Sequence, residues 1–367
     1  MIYIDFYLTN VLVINITGGI IMANKAVYMT GLNKMETREI EMPIPKEKQV
    51  IVKVEYVGIC GSDVHYLEHG KIGDFIVNGD FILGHECAGT IAAVGEGVKD
   101  LKVGDKVALE PGCTCGQCEY CKTGRYNLCP DVEFLATPPY HGCLMNYIAF
   151  PENMAFKLPE GLSTKEGALV EPLAVGMHAA NQGGVKLGDS VVILGSGCIG
   201  LVTLLACKAY GATDITVVDV IPKRLEYAKK LGATTIINAA ETDTLEEVKK
   251  LTDGKGVDVV IETAGSAKTI SQTPYLIKNG GCVVLVGMAP QDIIEYNFAK
   301  IMAKEAVIKS VFRYRNIYPQ AIKAIAKGLI DVSGIVTHEF DFSDTEKAFG
   351  FVINNKQDVV KAVIKLA

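Results

Sequence analysis

The sequence predicts an α/β protein of two domains, a doubly wound parallel sheet beside a β-rich unit that carries a small metal-binding lobe. Three observations predict this. Strands alternate with helices over roughly residues 175–310. Short strands bounded by glycines fill residues 25–110. Between these regions Cys115, Cys118, Cys121 and Cys129 crowd into one short stretch. The 367 residues suit about two domains, and a hydrophobic content of 49% provides sizeable cores. A net charge of -6 with no basic tract argues against nucleic-acid binding. Eleven cysteines without evident disulfide pairing point to a reducing, cytoplasmic compartment.

The elements follow in order. Ile2–Ile21 is apolar but broken by Asp5, Thr9, Asn10, Asn15 and Thr17. It has no basic start and no cleavage site, and its longest apolar run is too short for a bilayer. Residues 1–21 are therefore expected to be a non-native extension, with translation starting at Met22; a β-rich extension at a subunit edge is the alternative. Val50–Val57 alternates apolar and polar residues, as a half-buried strand does. Gly89–Gly95 and Asp105–Leu109 read as further strands. The domain reading is 22–174 and 311–367 for the β-rich unit and 175–310 for the doubly wound sheet. Within the latter, strands are expected at 190–194, 215–218, 257–261 and 282–286, with helices from 199 and 222.

Four cysteine thiolates at this spacing can close a tetrahedral shell around one zinc ion, and Gly112, Gly116 and Gly124 supply tight turns for the wrap. A shell closed by four sulfurs leaves no position for substrate, so this zinc would be structural. Buried or disulfide-bonded cysteines are the competing explanation.

The buried-strand run Ser190–Leu194 leads into Gly195-Ser-Gly197-Cys-Ile199-Gly200, then a helix-like stretch, then Asp219 at the end of the next strand. This is the context of a Rossmann dinucleotide site. Gly195 permits the tight turn, Gly197 admits a pyrophosphate and Gly200 lets helix and strand approach. The pyrophosphate would rest on the helix N-terminus. Asp219 would accept hydrogen bonds from the adenosine ribose and repel a 2′-phosphate, which favours NAD over NADP. Arg224 nearby weighs slightly the other way. A bare helix cap at Asp219 is the plainer alternative.

A second metal is suggested by Gly58-Ile-Cys60-Gly-Ser62-Asp-Val-His65-Tyr66 and Gly84-His85-Glu86. One Cys, one His and one carboxylate can hold a zinc with a position left open. Glu171, near the expected hinge, is a second candidate carboxylate. Taken in order, these features resemble the zinc-dependent medium-chain alcohol dehydrogenases, and most of all their polyol branch. The resemblance runs from about Lys25 to the C-terminus. It rests on residues 58–66, Gly-Lys-Ile-Gly-Asp-Phe at 70–75 and Leu-Gly-His-Glu at 83–86. It also rests on Pro-Gly at 111–112 before the cysteines, Val-Glu-Pro-Leu-Ala-Val at 170–175 and Val-Phe-Arg-Tyr at 311–314.

The resemblance implies a GroES-like catalytic domain, a second zinc and NAD. It puts Cys60, His85 and Glu86 around the catalytic zinc, with Glu171 binding water or substrate or entering the shell. It puts Tyr66, Glu171, Arg313 and Tyr314 against the polyol. Contacts to NAD would come from Ile199, Asp219, Arg224, Val286, Gly287, Met288, Val311, Phe312 and Arg313, beside Gly195, Gly197 and Gly200. The implied reaction oxidises a secondary alcohol of a polyol such as sorbitol, iditol or xylitol to a ketose. Ser62, His65 and Glu171 are candidates for moving the proton to solvent. A homotetramer without membrane attachment is implied as well. The nearest rivals are threonine and 2,3-butanediol dehydrogenases of the same fold, separated by Tyr66, Gly73–Phe75 and Phe312–Tyr314. A non-catalytic dinucleotide-binding protein or a zinc-binding interaction module is a rival of another class. All four zinc-lobe cysteines are present, which some animal sorbitol dehydrogenases lack.

Overall fold

The computed structural model describes residues 24–367. The expectation about residues 1–21 and Met22 lies outside the described residues. Two sheets organise the chain. The first has six parallel strands in the order Thr235–Asn238, Asp214–Asp219, Ser190–Leu194, Val257–Glu262, Ile277–Leu285, Val307–Ser310. The order reverses between Ser190–Leu194 and Val257–Glu262. That switch point opens a crevice at the carboxyl ends of those two strands. Both are runs of Val and Ile, nearly all buried, as a strand covered on both faces requires. The strand expected at 282–286 instead runs Ile277–Leu285. Ile277 pairs with Val257 before a register shift, and Gly280 takes a positive φ of 70°. The Gly280–Gly281 pair masks the first half of the strand in the sequence.

The second sheet has seven strands. Gln49–Gly58 pairs along one edge with Glu86–Val94. Along its other edge it takes Tyr147–Pro151 at one end and Lys361–Lys365 at the other. The C-terminal strand thus returns to an element from the start of the chain. Three strands meet at Gly58, which sits opposite both Glu86 and Val363. A Cβ at position 58 would lie 2.0 Å from Glu86 Oε2, so glycine there makes room for that carboxylate.

The helix Val170–Gly183 runs unbroken across residue 175 and carries Glu171 in its first turn. It lies close against Cys198–Ala209: a Cβ on Gly176 would stand 2.7 Å from Thr203 N. It therefore ties the metal-bearing sheet to the nucleotide crevice. One continuous core of buried apolar residues, including Leu169, Leu173, Leu201, Tyr314 and Tyr318, joins the two parts.

Candidate active site

Cys60 precedes the helix Gly61–His69, and its amide donates to Asp63 Oδ2 at 3.1 Å. The other oxygen of Asp63 accepts from Gly84 N at 2.9 Å and stands 3.5 Å from His85 Nδ1. A single fully buried carboxylate thus fixes the Cys60 turn and lies beside His85, whose Nδ1 makes no hydrogen bond. Strand register brings Glu86 alongside. The ligand atoms of Cys60, His85 and Glu86 all lie within 4.8 Å of one another. Burial works against a charged His85, yet the charges of Asp63 and Cys60 raise its proton affinity well above the usual range. The cluster therefore attracts positive charge, and its donors fit zinc with a position to spare.

Glu86 has a further partner. Lys361, 3% exposed, donates to both its oxygens at 2.7 and 2.8 Å and to the Ile59 carbonyl at 3.1 Å. Sequence reasoning assigns no role to Asp63 or Lys361. Asp63 carries a signal, an acid three residues beyond a helix start. Lys361 carries one too, a lone cation in the apolar run Val359–Ile364.

Glu171 falls outside the 4.8 Å cluster. It is buried and accepts from Tyr314 Oη at 3.0 Å. Burial pushes its pKa to about 7, with Glu86 adding to the rise. It can thus hold or release a proton near neutrality. Tyr66 is 3% exposed, and its ring packs near Phe81. Burial raises its pKa to about 12, with Asp63, His85 and Arg313 as its charged neighbours. Ser62 is half-buried, whereas His65 is exposed, its ring centroid 4.5 Å from that of His69. Ser62 and His65 share a helix face three residues apart, leading outward from Cys60.

The four lobe cysteines also converge. Sulfur separations of 3.5 Å for Cys118–Cys121 and Cys115–Cys129 and 4.0 Å for Cys115–Cys121 are found. A zinc tetrahedron with bonds of about 2.3 Å has edges of about 3.8 Å, so the donors fit that ion. Gly116 and Gly124 take positive φ at the bends; Gly112 lies in a strand instead. No disulfide joins the described cysteines.

Beside the lobe, Glu110 is 3% exposed and accepts from Tyr126 Oη at 2.7 Å. Burial pushes its pKa from 4.5 to about 7. The unfolded chain ionises Glu110 freely above about 4.5, while the fold resists ionisation until about 7. Folding stability therefore falls as pH rises through that window. Glu110→Gln is expected to be near neutral at pH 5 and to stabilise by about 1–3 kcal/mol at pH 8. Denaturant midpoints at the two pH values check this; an equal effect at both would exclude it.

The crevice of the parallel sheet has the shape of a dinucleotide cradle. Gly195 has a φ of 99°, and a Cβ there would meet Ala264 N at 2.9 Å. A Cβ on Gly200 would lie 2.0 Å from the Gly195 carbonyl. Gly197 borders open space: a Cβ there would find only Arg224 Nη1, at 3.9 Å. Gly287 and Gly265 stand back to back, and Val311 N donates to Leu285 O at 2.9 Å. Residues 195–200, 286–288 and 311–313 thus border one crevice. Asp219 accepts from Ser196 N and Oγ at 2.7 and 2.9 Å, and from Val220 N and Ile221 N at 2.7 and 2.9 Å. It organises the glycine turn and leads into the helix Pro222–Leu231. Cys198, in the turn, has Lys361, Glu86, Cys60 and Glu171 as charged neighbours, so crevice and metal cluster adjoin.

Family comparisons agree with this architecture. Residues 46–160 match the alcohol dehydrogenase GroES-like domain, and residues 198–327 match the zinc-binding dehydrogenase family. The chain belongs to the zinc-dependent medium-chain alcohol dehydrogenases, in their polyol branch. It is 51% identical over 348 residues to an uncharacterised zinc-type alcohol dehydrogenase-like protein of Escherichia coli K12, covering 94% of this chain and 100% of that one. It is 44% identical to the sorbitol dehydrogenase of Bacillus subtilis 168, covering 93% and 96%. A crystal structure of an E. coli oxidoreductase of unknown specificity superposes with a TM-score of 0.91 at 50% identity, covering 94% and 100%. A Sinorhizobium meliloti structure bound to NADP has a TM-score of 0.86 at 31% identity, covering 94% and 99%. An E. coli CFT073 structure bound to NADH has 0.87 at 29%, covering 94% and 100%. The chain is thus a zinc-dependent oxidoreductase of the polyol type that uses a nicotinamide cofactor. Among the described residues no helix is long and apolar enough to cross a membrane.

Proposed function

We propose that this enzyme oxidises a secondary alcohol of a polyol to a ketose with NAD as acceptor. The observation that carries the reading is the adjacency of the Cys60–His85–Glu86 cluster to the glycine crevice, with Cys198 between them. Cys60, His85 and Glu86 would hold the catalytic zinc, and Cys115, Cys118, Cys121 and Cys129 a structural one. When bound, the catalytic zinc supplies Lewis acidity that lowers the pKa of a substrate hydroxyl. The secondary carbon gives its hydride to NAD, the hydroxyl proton passes to solvent, and ketose and NADH leave.

The chain's own residues divide the remaining work. Asp63 fixes the Cys60 turn and sets its charge beside His85. Glu171, with its pKa near 7 and its bond to Tyr314, takes or relays the proton. Ser62 and His65 offer a route outward along the helix. Tyr66, Arg313 and Tyr314 line the substrate side. Ile199, Val286, Gly287, Met288, Val311 and Phe312 border the nicotinamide end. A cytoplasmic homotetramer fits the reading.

NAD is favoured over NADP because Asp219 keeps a carboxylate beside the ribose site, although Arg224 stands at the same turn. Asp219→Ala is expected to raise the Michaelis constant for NAD about tenfold and to narrow the preference over NADP, as loss of a charge-assisted hydrogen bond does. Unchanged constants for both cofactors would refute the assignment. The reading as a whole is tested by initial rates on polyols, L-threonine and 2,3-butanediol, with and without a zinc chelator. Chelator-sensitive turnover of a polyol supports it. Activity on threonine or butanediol alone would keep zinc, cofactor and fold, and remove the substrate class.

A further inference from the structure

We propose that His65, Glu68 and His69 form a further metal site, one for a divalent transition cation such as zinc, whose occupancy shuts the outward proton route and slows the enzyme. The regulatory half of the proposal rests on the polyol-oxidising reading; the metal-binding half does not. The site follows from how the helix Gly61–His69 is held. Asp63, Val64, Tyr66 and Leu67 are its buried residues, so its inner face is fixed. At its far end Gly70 takes a φ of 72°, and its amide donates to the Tyr66 carbonyl at 2.7 Å. The helix therefore closes directly after His69. With the inner face packed, His65, Glu68 and His69 fall on the outer one, at positions i, i+3 and i+4.

The two imidazoles are already together. Both side chains are exposed, their ring centroids stand 4.5 Å apart, and their planes are inclined at 64°. Two histidines four residues apart on one helix face supply two nitrogens to a single ion. Glu68 is the third donor. Lys356 Nζ reaches its two oxygens at 3.4 and 3.2 Å. The Lys356 side chain is 59% exposed, and an ion pair so placed is worth little. A cation arriving between the imidazoles displaces that ammonium at small cost and takes the carboxylate. Glu68, His69 and Lys356 are the charged neighbours of His65, so the four side chains make one cluster.

The donor set selects the ion. Imidazole suits zinc, copper and nickel, whereas magnesium and calcium prefer shells of oxygen. The site is separate from the Cys60–His85–Glu86 cluster, because His65 lies about 8 Å along the helix from Cys60. The remaining coordination positions open to solvent, so the ion acts through what it does to His65. That imidazole is the outer member of the Ser62–His65 route. A ring nitrogen that binds a metal has no lone pair left for a proton. The proton then has no exit through His65, while the contacts to cofactor and polyol are untouched. Occupancy therefore lowers kcat and leaves KM as it was.

The test uses untagged enzyme with both proposed zinc ions in place, dialysed against rising zinc at about pH 8, where protons compete little for imidazole. Metal content and polyol turnover are read on the same samples. The expected result is one further zinc per chain, with kcat falling in step with it at unchanged KM for polyol and NAD. His69→Gln lies outside the proton route and should keep the basal turnover. It should weaken the further zinc at least about tenfold and shift the midpoint of inhibition by the same factor, since losing a direct ligand costs no less than losing an outer partner. Glu68→Gln should shift both in the same direction by a smaller factor. Magnesium at equal concentration should leave turnover unchanged. Absence of a further zinc, or wild-type zinc affinity in either variant, overturns the site. Zinc that binds with these dependences without slowing turnover, or equal inhibition by magnesium, overturns the regulatory role. Turnover of no polyol would sink the polyol reading and that role with it, and the zinc count would still decide the site.

Discussion

Replacing Cys60 by alanine is expected to remove one of the two zinc ions proposed for each chain and to lower turnover by about three orders of magnitude or more, since a Lewis acid supplies several kcal/mol of stabilisation. The prediction follows from how the site is built. Cys60 provides the only thiolate of the open cluster, while the lobe sulfurs form their own set elsewhere. The partners of Asp63 are Cys60 N, Gly84 N and His85, none of them in the glycine turn 195–200, so NADH binding followed by fluorescence should survive. The fold should survive as well, because the amide bond from residue 60 to Asp63 is a backbone bond that alanine keeps. Metal content by mass spectrometry and turnover are read on the same preparation. Loss of zinc with full turnover would place the chemistry elsewhere. Retention of both ions would show that Cys60 is no ligand.

How much of this is legible in the sequence depends on the distance over which each feature is specified. The four-cysteine lobe and the glycine turn are local. Their residues are fixed by bond geometry within a few positions, and both appear in the structure with matching sulfur separations and the expected close approach at Gly200. The switch point follows from strand order, itself a consequence of alternating strands and helices. Contacts made across sheets have no local signature. Lys361 reaches Glu86 only because Lys361–Lys365 returns to the edge of Gln49–Gly58, 275 positions away from that carboxylate in the chain. Phe134 stacks under Arg313 because the lobe folds over the cleft. Asn127 holds the segment 312–315 through its side chain, yet its position between the lobe cysteines gives it no signal of its own. Tyr66 combines a local motif with a long-range packing environment. Expected as a substrate contact, it is buried, with its ring centroid 6.2 Å from that of Phe81.

Lys361→Met is expected to destabilise the metal-free protein by about 3–5 kcal/mol, the usual cost of leaving one partner of a buried ion pair uncompensated. Methionine fills most of the space of the lysine stem, so the loss reports charge and not a cavity. With the ammonium gone, Glu86 remains buried between Gly58 and the Cys60–His85 pair without its ion-pair partner. A divalent cation in the cluster supplies one, and it no longer shares Glu86 with a positive neighbour. The variant should therefore bind the catalytic zinc more tightly while being less stable without it. Two measurements decide this, denaturant midpoints of both proteins with and without zinc, and competitive zinc titration. The zinc-induced gain in stability must be larger in the variant, because a tighter site shifts the folding equilibrium further at the same ion concentration. Adding Glu86→Gln removes the stranded charge, so the double variant in its metal-free form should recover much of the loss. If the loss is the same with and without zinc, or the double variant is no more stable than the single one, Lys361 serves packing alone. The gain from zinc links the two ends of the chain: the carboxylate next to His85 is held for the metal by a residue of the C-terminal strand Lys361–Lys365.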